Sequence, residues 1–267
     1  RLLRLSLKKP YQKKWIDSIF IISLGDKFCK YKSQIKLVGD GSDHLSFNSN
    51  LINHSIKLRL IDSNIDGNVT FRIFIPRTRL GDNELFGAMI YKKMGFLSPK
   101  TSRINIGING NLGSYIIQEE INKEFLESNQ RSEGPLFEGI EIFGIQQPIS
   151  LARVTNGEWG VKSNEASLIT AYSLNKLNNI YLQSSSITDY PLNIWSQEDG
   201  LIDKKSTGVL QEFYALSHSI NGVHGLTRDD SRFYFNSIYG RFEPIYYDQE
   251  ISIQEDLKFK SIDQNTK

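Results

Sequence analysis

Several charged side chains in this sequence have the types and spacing that phosphoryl transfer from a nucleotide requires. That reaction needs cations over the phosphates, a divalent metal held by oxygen ligands, and a group that positions the attacking hydroxyl. Lys57 or Arg59 could contact phosphate oxygens, and Glu119 could pair with that cation and fix it. Asp230 and Asp248 could hold Mg²⁺. The sequence therefore offers a candidate for each part of this chemistry.

The segment between Asp230 and Asp248 favours a shared metal site. Residues 232–236 and 242–247 are patterned as strands around a turn-like segment, which predicts a β-hairpin. Because a hairpin brings its two ends together, we expect the two carboxylates to lie close to each other. A helix, a polar loop, a hairpin and then an acid is also the order in which protein kinases present their catalytic loop and metal-binding aspartate.

The polar loop before this hairpin supplies the catalytic candidates His224, Asp229 and Asp230. Each has an ordinary structural interpretation, since paired aspartates in loops often form turns or cap helices and a loop histidine is as often structural as catalytic. Glu119 and Glu120 leave a second chemistry open. They could supply half of a carboxylate pair for glycoside hydrolysis, which needs another acid at a controlled distance.

Other site classes are excluded by the sequence. It contains no GxxxxGK[ST] phosphate loop, no HExxH zinc helix and no GxSxG nucleophile elbow. Cys29 is the only cysteine, so an internal disulfide and a cysteine-cluster metal site are both ruled out. The four histidines share no metal-ligand spacing.

Hydrophobic periodicity predicts the elements that must position these residues. Alternation in residues 55–60 predicts a half-buried strand with Lys57 and Arg59 on its polar face. The other predicted elements of this half are a strand at 70–75 ended by Pro76, a helix from Asp82 or Asn83 to just before Gly95, and a hairpin of strands 103–108 and 112–119 around Asn109-Gly110.

The second half of the chain changes character, with helical patterning over residues 166–182 and 206–220 and a polar connection between them. We therefore predict an α+β fold with a boundary near Glu120. Residues 1–120 would form a sheet-rich lobe that contacts the nucleotide phosphates. Residues 121–267 would form a mainly helical lobe that carries the catalytic and metal-binding loop.

Composition limits the partners. The chain has 267 residues, 39% of them apolar, and a formal net charge of +2, which does not indicate nucleic acid or an anionic membrane as the main partner. The cations scattered through the first thirty residues favour a solvated, half-buried edge over a phosphate-binding arm. The longest apolar stretch is interrupted by Asp17 and Ser18, so no membrane span is expected. The chain begins at Arg1 without a leader pattern, and we expect a fragment or processed form whose localisation cannot be read.

An ordered series of short motifs resembles the spore-coat protein H (CotH) kinase family over roughly residues 36–248. In the first half the motifs are Val38-Gly39-Asp40, Asp43-His44-Leu45, Ser55-Ile56-Lys57-Leu58-Arg59, Pro76-Arg77-Thr78-Arg79, Ile108-Asn109-Gly110, Leu112-Gly113, Tyr115, Gln118-Glu119 and Glu133-Gly134-Pro135. In the second half they are His224-Gly225-Leu226, Arg232-Phe233-Tyr234 and Glu243-Pro244-Ile245-Tyr246-Tyr247-Asp248.

The resemblance implies an atypical, bilobal protein-kinase-like fold that binds ATP and Mg²⁺ and phosphorylates serine or threonine on a protein substrate. Carried over by position, Lys57 or Arg59 would contact phosphate, Glu119 would support the nucleotide pocket and Asp248 would ligate the metal. Asp229-Asp230 replaces an expected asparagine-bearing pair, and His224-Gly225 lies where the family's acid is expected.

These departures leave an alternative open: an inactive pseudokinase or an assembly module of a spore coat or cell envelope. A location in a bacterial spore coat or cell envelope is suggested by the resemblance alone. The sequence does not indicate an oligomeric state.

Overall fold

The computed structural model describes residues 13–39, 44–48, 51–108, 110–139, 151–183 and 204–252, and every structural statement below concerns these residues. Asp40, Asp43 and Asn109 of the quoted motifs lie outside this part of the chain, as do residues 1–12 and the polar connection predicted between the two long helices.

The described chain is a mixed α+β structure, as predicted. Its strands are β1 (Ile16–Leu24), β2 (Lys27–Leu37), β3 (Leu45–Asn48), β4 (Leu51–His54), β5 (Ile56–Leu60), β6 (Thr70–Phe74), β7 (Thr101–Ile108), β8 (Asn111–Glu119), β9 (Leu136–Gly139), β10 (Ala152–Val154), β11 (Arg232–Asn236) and β12 (Arg241–Ile245). Its helices are α1 (Asp82–Lys93), α2 (Lys123–Ser128), α3 (Gly157–Gly160), α4 (Asn164–Gln183) and α5 (Lys204–Ser219). Two 3-10 helices cover Pro76–Arg79 and His224–Leu226.

Two antiparallel sheets organise these elements. The first is a curled six-stranded sheet with strand order β1-β2-β5-β6-β8-β7, and the second is a four-stranded sheet with order β10-β9-β11-β12. Strands β3 and β4 pair with each other as a separate hairpin. The second sheet lies entirely in the half of the chain predicted to be mainly helical, so that half combines helices with a sheet. Strands β9 and β10 have four and three residues, too few for a periodic pattern to be recognised.

Alternation explains how β5 divides its side chains. Ile56, Leu58 and Leu60 are buried in an apolar cluster formed by one face of the six-stranded sheet. Lys57 and Arg59 consequently project from the opposite face, as predicted. A second and larger cluster joins α1, α4 and α5 to the four-stranded sheet through residues such as Tyr91, Leu177 and Phe213.

Helix α1 confirms the predicted helix and its C-terminus. The backbone at Gly95 has φ of +87°, and its N–H donates to the Lys92 carbonyl. The N-cap is Gly81, which has no side chain that could accept a hydrogen bond from the first turn. The predicted capping side chain is therefore not found at this N-cap. Asp82 and Glu84 lie in the first turn, where their charges favour the helix N-terminus.

The β1–β2 hairpin was not predicted. Ile19 and Ile21 are exposed on one face of β1 while Phe20 packs in the core on the other. Because apolar residues occupy both faces of β1, its sequence does not show the alternation of apolar and polar residues that predicts a strand. In the described part of the chain, no helix has the length and apolar character needed to cross a membrane.

Leu58 tests the sheet core. Leu58→Ala removes buried apolar volume from a side chain that is 2% exposed, and we expect the free energy of unfolding to fall by about 2–5 kcal/mol. Leu112→Ala is the matched control, because Leu112 is 79% exposed and should change stability by less than about 0.5 kcal/mol. Urea unfolding followed by circular dichroism measures both, and equal losses would contradict the assigned core.

Candidate functional site

A polar cleft of about 330 Å³ lies between the six-stranded sheet and the four-stranded sheet. Its walls are formed by side chains of both sheets and the adjoining segments: Lys57, Arg72, Glu120, Ile121, Phe137, Glu138, Arg153, Val154, Thr155 and Arg232. Four of these residues are cationic and two are anionic. The surplus of positive charge suits the cleft to an anionic ligand.

The centre of the cleft is an ion cluster around Glu120. Its carboxylate lies 2.8 Å from the Lys57 ammonium and accepts two hydrogen bonds of 2.8 Å from Arg72. The bidentate geometry fixes both side chains of the Arg72–Glu120 pair. Lys57 and Arg72 are direct cross-strand partners on β5 and β6, so the carboxylate also offsets the repulsion between two neighbouring cations.

This environment keeps Glu120 ionised. Burial by itself would raise the pKa of the Glu120 carboxyl, but the charge and hydrogen bonds of Arg72, together with Lys57, lower that pKa to about 2. The cluster is therefore a fixed arrangement of charges at any physiological pH.

Glu119, the residue predicted to pair with the strand cation, lies elsewhere. It is buried, and its carboxylate accepts a 2.7 Å hydrogen bond from the Lys100 backbone N–H and a 3.3 Å bond from the Ser128 hydroxyl. Burial raises the pKa of Glu119, and these contacts oppose that rise. The pairing with Lys57 is made by the next residue, Glu120.

Arg59 does not line the cleft. Its guanidinium bonds the Gln34 side-chain carbonyl oxygen and stacks 4.5 Å from the centre of the Trp15 ring. Of the two strand cations considered for phosphate contact, Lys57 is therefore the one that the structure places with Arg72 and Glu120.

Tyr247 connects the cleft to the candidate metal ligands. Its hydroxyl accepts a 3.1 Å hydrogen bond from Arg72, and the Arg232 guanidinium lies 4.3 Å from the centre of its ring. Burial would raise the pKa of Tyr247, but Arg72, Arg79 and Arg232 lower it to about 8. This phenol therefore packs among arginines from both sides of the cleft.

The next residue, Asp248, forms an ion pair with Arg79, whose side chain is buried over the rings of Phe74 and Tyr247. The backbone at Asp248 and Glu250 is left-handed, with φ of 46° and 49°. Such values are uncommon for residues other than glycine, and two of them near each other indicate a conformation that the surrounding packing enforces.

The side chains of His224, Asp248 and Glu250 converge, with one potential ligand atom from each lying within 4.8 Å of the others. Asp230 lies 3.3 Å from the His224 Nε2 atom, the same atom that lies 3.9 Å from the Glu250 carboxylate. Burial raises the pKa of Asp230, and the nearby His224 opposes that rise. The convergent group therefore contains Asp248, His224 and Glu250, and Asp230 lies beside the histidine without belonging to that group.

Asp229 contributes backbone contacts in the loop that carries Asp230. Its carbonyl accepts a 3.4 Å hydrogen bond from Arg232, and the preceding Arg228 carbonyl accepts one of 2.8 Å from the Tyr181 hydroxyl. A Cβ on Gly139 would lie 1.8 Å from that Arg228 carbonyl, so strand β9 packs directly against the loop. The loop carrying Asp229 and Asp230 is fixed by the fold around it.

Gly225 brings the His224–Leu226 turn against the segment that carries Asp248 and Glu250. A Cβ at this position would lie 2.2 Å from the Tyr247 carbonyl oxygen, and the Gln249 side chain packs against the same point. Gly225 thereby allows the close backbone approach that brings His224 to the two carboxylates.

The sequence analysis gave no part in the phosphate or metal site to Arg72, Glu120, Arg232, Tyr247 and Glu250. The alternation of β6 carried a signal for Arg72, because this residue is the charged member of the strand and lies between the apolar residues Phe71 and Ile73. Choosing Glu120 over Glu119 required the pairing of Arg72 with Gln118, which no local pattern reveals. A larger cavity of about 480 Å³, lined by residues such as Arg131, Tyr239 and Arg241, contains none of the predicted site residues.

No known family model matches the sequence, and no curated protein matches it either.

Acid titration tests the Glu120 cluster. The carboxyl has a pKa of about 2 in the folded protein and 4.5 without these contacts, so its stabilisation is complete above pH 5 and is lost as pH falls toward 2. We expect Glu120→Gln to lower the free energy of unfolding on the order of 3 kcal/mol at pH 7, with the difference shrinking in acid. Urea unfolding from pH 7 to pH 2.5 measures it.

Glu127→Gln serves as the control for that titration. Glu127 is exposed and faces Lys123 at 3.6 Å, so its removal should change stability by less than about 0.5 kcal/mol at any pH. A Glu120→Gln deficit that stays constant between pH 7 and pH 2.5 would show that Glu120 acts through packing and not through its charge.

Gly225 provides a test of the backbone contact. Gly225→Ala places a methyl group against the Tyr247 carbonyl, and we expect a loss of about 1–3 kcal/mol in unfolding free energy. Gly208→Ala is the matched control, because a Cβ there meets open space within helix α5 and should stabilise by about 0.5–1 kcal/mol. Chemical denaturation compares the two, and a neutral Gly225→Ala variant would remove the proposed constraint.

Proposed function

We propose that this protein is a kinase of the CotH type, with a bilobal kinase-like arrangement, that transfers the γ-phosphate of ATP to a serine or threonine hydroxyl of a protein. The observation that carries the proposal is the Lys57–Glu120 ion pair of 2.8 Å inside a cationic cleft. A lysine held by a glutamate beside the nucleotide phosphates is a recurring part of kinase sites.

The cleft residues divide into binding and positioning roles. Lys57, Arg72 and Arg232 supply the positive charge that would bind and orient the phosphates. Glu120 fixes Lys57 and Arg72. Glu138 fixes Arg232, because its carboxylate lies 2.8 Å from the Arg232 guanidinium. Because both carboxylates are themselves paired, the cations are held in place before a ligand arrives, and little reorganisation is required on binding.

The donor atoms of the acidic group fit a divalent cation. Asp248 and Glu250 offer carboxylate oxygens, which Mg²⁺ prefers, and both belong to a segment that begins at the cleft with Tyr247. His224 adds an imidazole nitrogen, which suits softer divalent metals better than magnesium. A bound cation would neutralise charge on the phosphates. The Asp248 carboxylate would share its charge between such a cation and Arg79.

Hydroxyl activation is assigned to the loop of His224 and Asp230. Asp230 is half-buried 3.3 Å from the imidazole, so His224 can orient the Asp230 carboxylate, which would accept a proton from a substrate hydroxyl. Asp229 anchors this loop through its backbone and has no assigned part in proton transfer.

A specific observation favours the inactive alternative as a second candidate. Glu120 is already paired with two cleft cations, and Asp248 is already paired with Arg79. A protein that had retained the fold as a binding or assembly module would need no free charges at these positions. An active kinase would bind phosphate and metal at charges that already have partners.

Nucleotide binding and transfer separate the two candidates. At 100 times its dissociation constant, ATP with Mg²⁺ should stabilise the folded protein by about 2.7 kcal/mol in a thermal shift measurement. Phosphate incorporation into a serine- and threonine-containing protein should then be detected in the same sample. Stabilisation without incorporation would identify a pseudokinase, and the absence of both would exclude nucleotide chemistry.

Variants assign the roles in the cleft. We expect Lys57→Ala to lower kcat/KM for ATP by about 100-fold, and the fold should survive because Glu120 retains its bidentate pair with Arg72. Arg59→Ala removes an equal charge from the same strand outside the cleft and should leave the KM for ATP unchanged. Equal effects of the two variants would remove Lys57 from the phosphate site.

Metal dependence is tested with Glu250→Gln, because Glu250 has no partner as buried as Arg79. The variant should raise the Mg²⁺ concentration that supports half-maximal incorporation by about tenfold, with little change in melting temperature. An unchanged metal requirement would place the cation elsewhere.

A further inference from the structure

The face of the six-stranded sheet that carries Lys57 is basic well beyond the cleft. The pairing register sets Lys36 opposite Lys57 and Lys57 opposite Arg72, so these residues form one cross-strand row. Side chains alternate along a strand, which places every second residue of β2 and β5 on this same face. The face carries six cationic side chains on three strands: Lys30, Lys32, Lys36, Lys57, Arg59 and Arg72.

Carboxylates are scarce on this face. Glu120 pairs with Lys57 and Arg72, as described above. Asp17 accepts a 2.8 Å hydrogen bond from the Gln34 side chain. Among the ion pairs of the described residues, the other four cations of the face have no carboxylate partner. The result is a local excess of positive charge on a chain that is nearly neutral as a whole.

Two of these four cations are held in fixed positions by an aromatic ring. The Lys36 ammonium lies 5.0 Å and the Arg59 guanidinium 4.5 Å from the centre of the Trp15 ring. Burial and the neighbouring charge of Lys57 lower the pKa of Lys36. An anion over this part of the face would relieve that repulsion while meeting cations that are already oriented.

Large apolar side chains alternate with the outer lysines. Ile19 and Ile21 of β1 are cross-strand partners of Lys32 and Lys30, and Phe28 precedes Lys30 by two residues on β2. Their exposed fractions are 70%, 52% and 64% for Ile19, Ile21 and Phe28. Strand β1 is also an edge of its sheet, with β2 as its only neighbour among the described strands. The face therefore matches a ligand that is both acidic and apolar.

We propose that this face binds an acidic, partly apolar protein segment in extended conformation. The inference rests on the proposed function, because the segment would belong to the protein substrate. A nucleic acid would satisfy the cations but gains nothing from exposed isoleucines. An anionic bilayer would match both the cations and the exposed apolar side chains. A bilayer surface is too broad to enter the cleft, however, whereas a single extended chain can lie along the row of Lys36, Lys57 and Arg72 and enter it.

The strand spacing sets the position of the acidic residues. Neighbouring strands lie about 4.8 Å apart, so β2 and β6 are separated by about 10 Å. An extended segment advances about 3.3 Å per residue. A hydroxyl at the cleft would therefore lie about three residues from a carboxylate over Lys36 and Arg59, and the preferred substrates carry acidic and aliphatic residues on one side of the acceptor.

Binding is measured on the full 267-residue chain without nucleotide. The probes are a fluorescent ten-residue peptide with a serine, an isoleucine and glutamates three and four residues from the serine, and the same peptide with glutamines. Anisotropy at 50 mM salt should show about tenfold tighter binding of the acidic peptide, and the difference should shrink at 300 mM salt because the charges are exposed.

Paired variants locate the effect. Lys32→Gln with Lys36→Gln should reduce the preference for the acidic peptide to less than about threefold. Lys92→Gln with Lys93→Gln removes the same charge from the exposed end of α1 and should leave the preference intact. Equal affinities for the two peptides, or equal losses in the two double variants, would overturn the docking face.

Two further arms separate the alternatives. Vesicles with 30% anionic lipid that bind the wild type and not the Lys32 and Lys36 variant, while neither peptide binds, would make the face a membrane surface and overturn the proposal. Phosphate incorporation into both peptides at equal rates would sustain the kinase and remove the docking preference. Acid-dependent binding without incorporation would sustain the docking face and remove the kinase.

Discussion

The structure depends on one electrostatic constraint: two cations on neighbouring strands must share a buried carboxylate. Lys57 and Arg72 are cross-strand partners, and without Glu120 their charges would face each other in a partly desolvated cleft. Because Glu120 directly follows the end of β8, the cluster joins β5, β6 and β8 at the edge of the cleft. The same carboxylate that stabilises the fold also limits how much positive charge remains for a ligand.

A second constraint is steric and lies in the segment that follows β12. Asp248 and Glu250 both reach His224, and the backbone is left-handed at these two positions on either side of the fully buried Gln249. Gly225 permits the adjoining turn to approach this segment without a side chain between them. The arginines around Tyr247 then connect the acidic group to the cleft. Charge and packing thus act together to place carboxylates beside a cationic cavity.

The face of the six-stranded sheet that carries Lys57 extends beyond the cleft. Helix α1 reaches the sheet through Glu84, whose carboxylate accepts hydrogen bonds from Gln118 at 2.8 Å and from Tyr246 at 2.9 Å. That contact occupies the β8 side of the face, whereas the Lys36 side keeps cations without carboxylate partners among the described residues. One sheet face is therefore divided between a packed region that supports the site and a basic region suited to recognition.

The amino-acid sequence by itself determined the local elements. Period-two alternation assigned β5 and β6, helical periodicity assigned α1, α4 and α5, and turn residues located the β11–β12 hairpin. Lys57, His224, Asp230 and Asp248 were named as site candidates from residue type and order. Tertiary structure alone decided which of two adjacent glutamates meets Lys57, which strand cation enters the cleft, and that Glu250 joins Asp248. These choices depend on strand register and on contacts between residues far apart in the chain, and a one-residue change of register reverses the face on which a side chain lies.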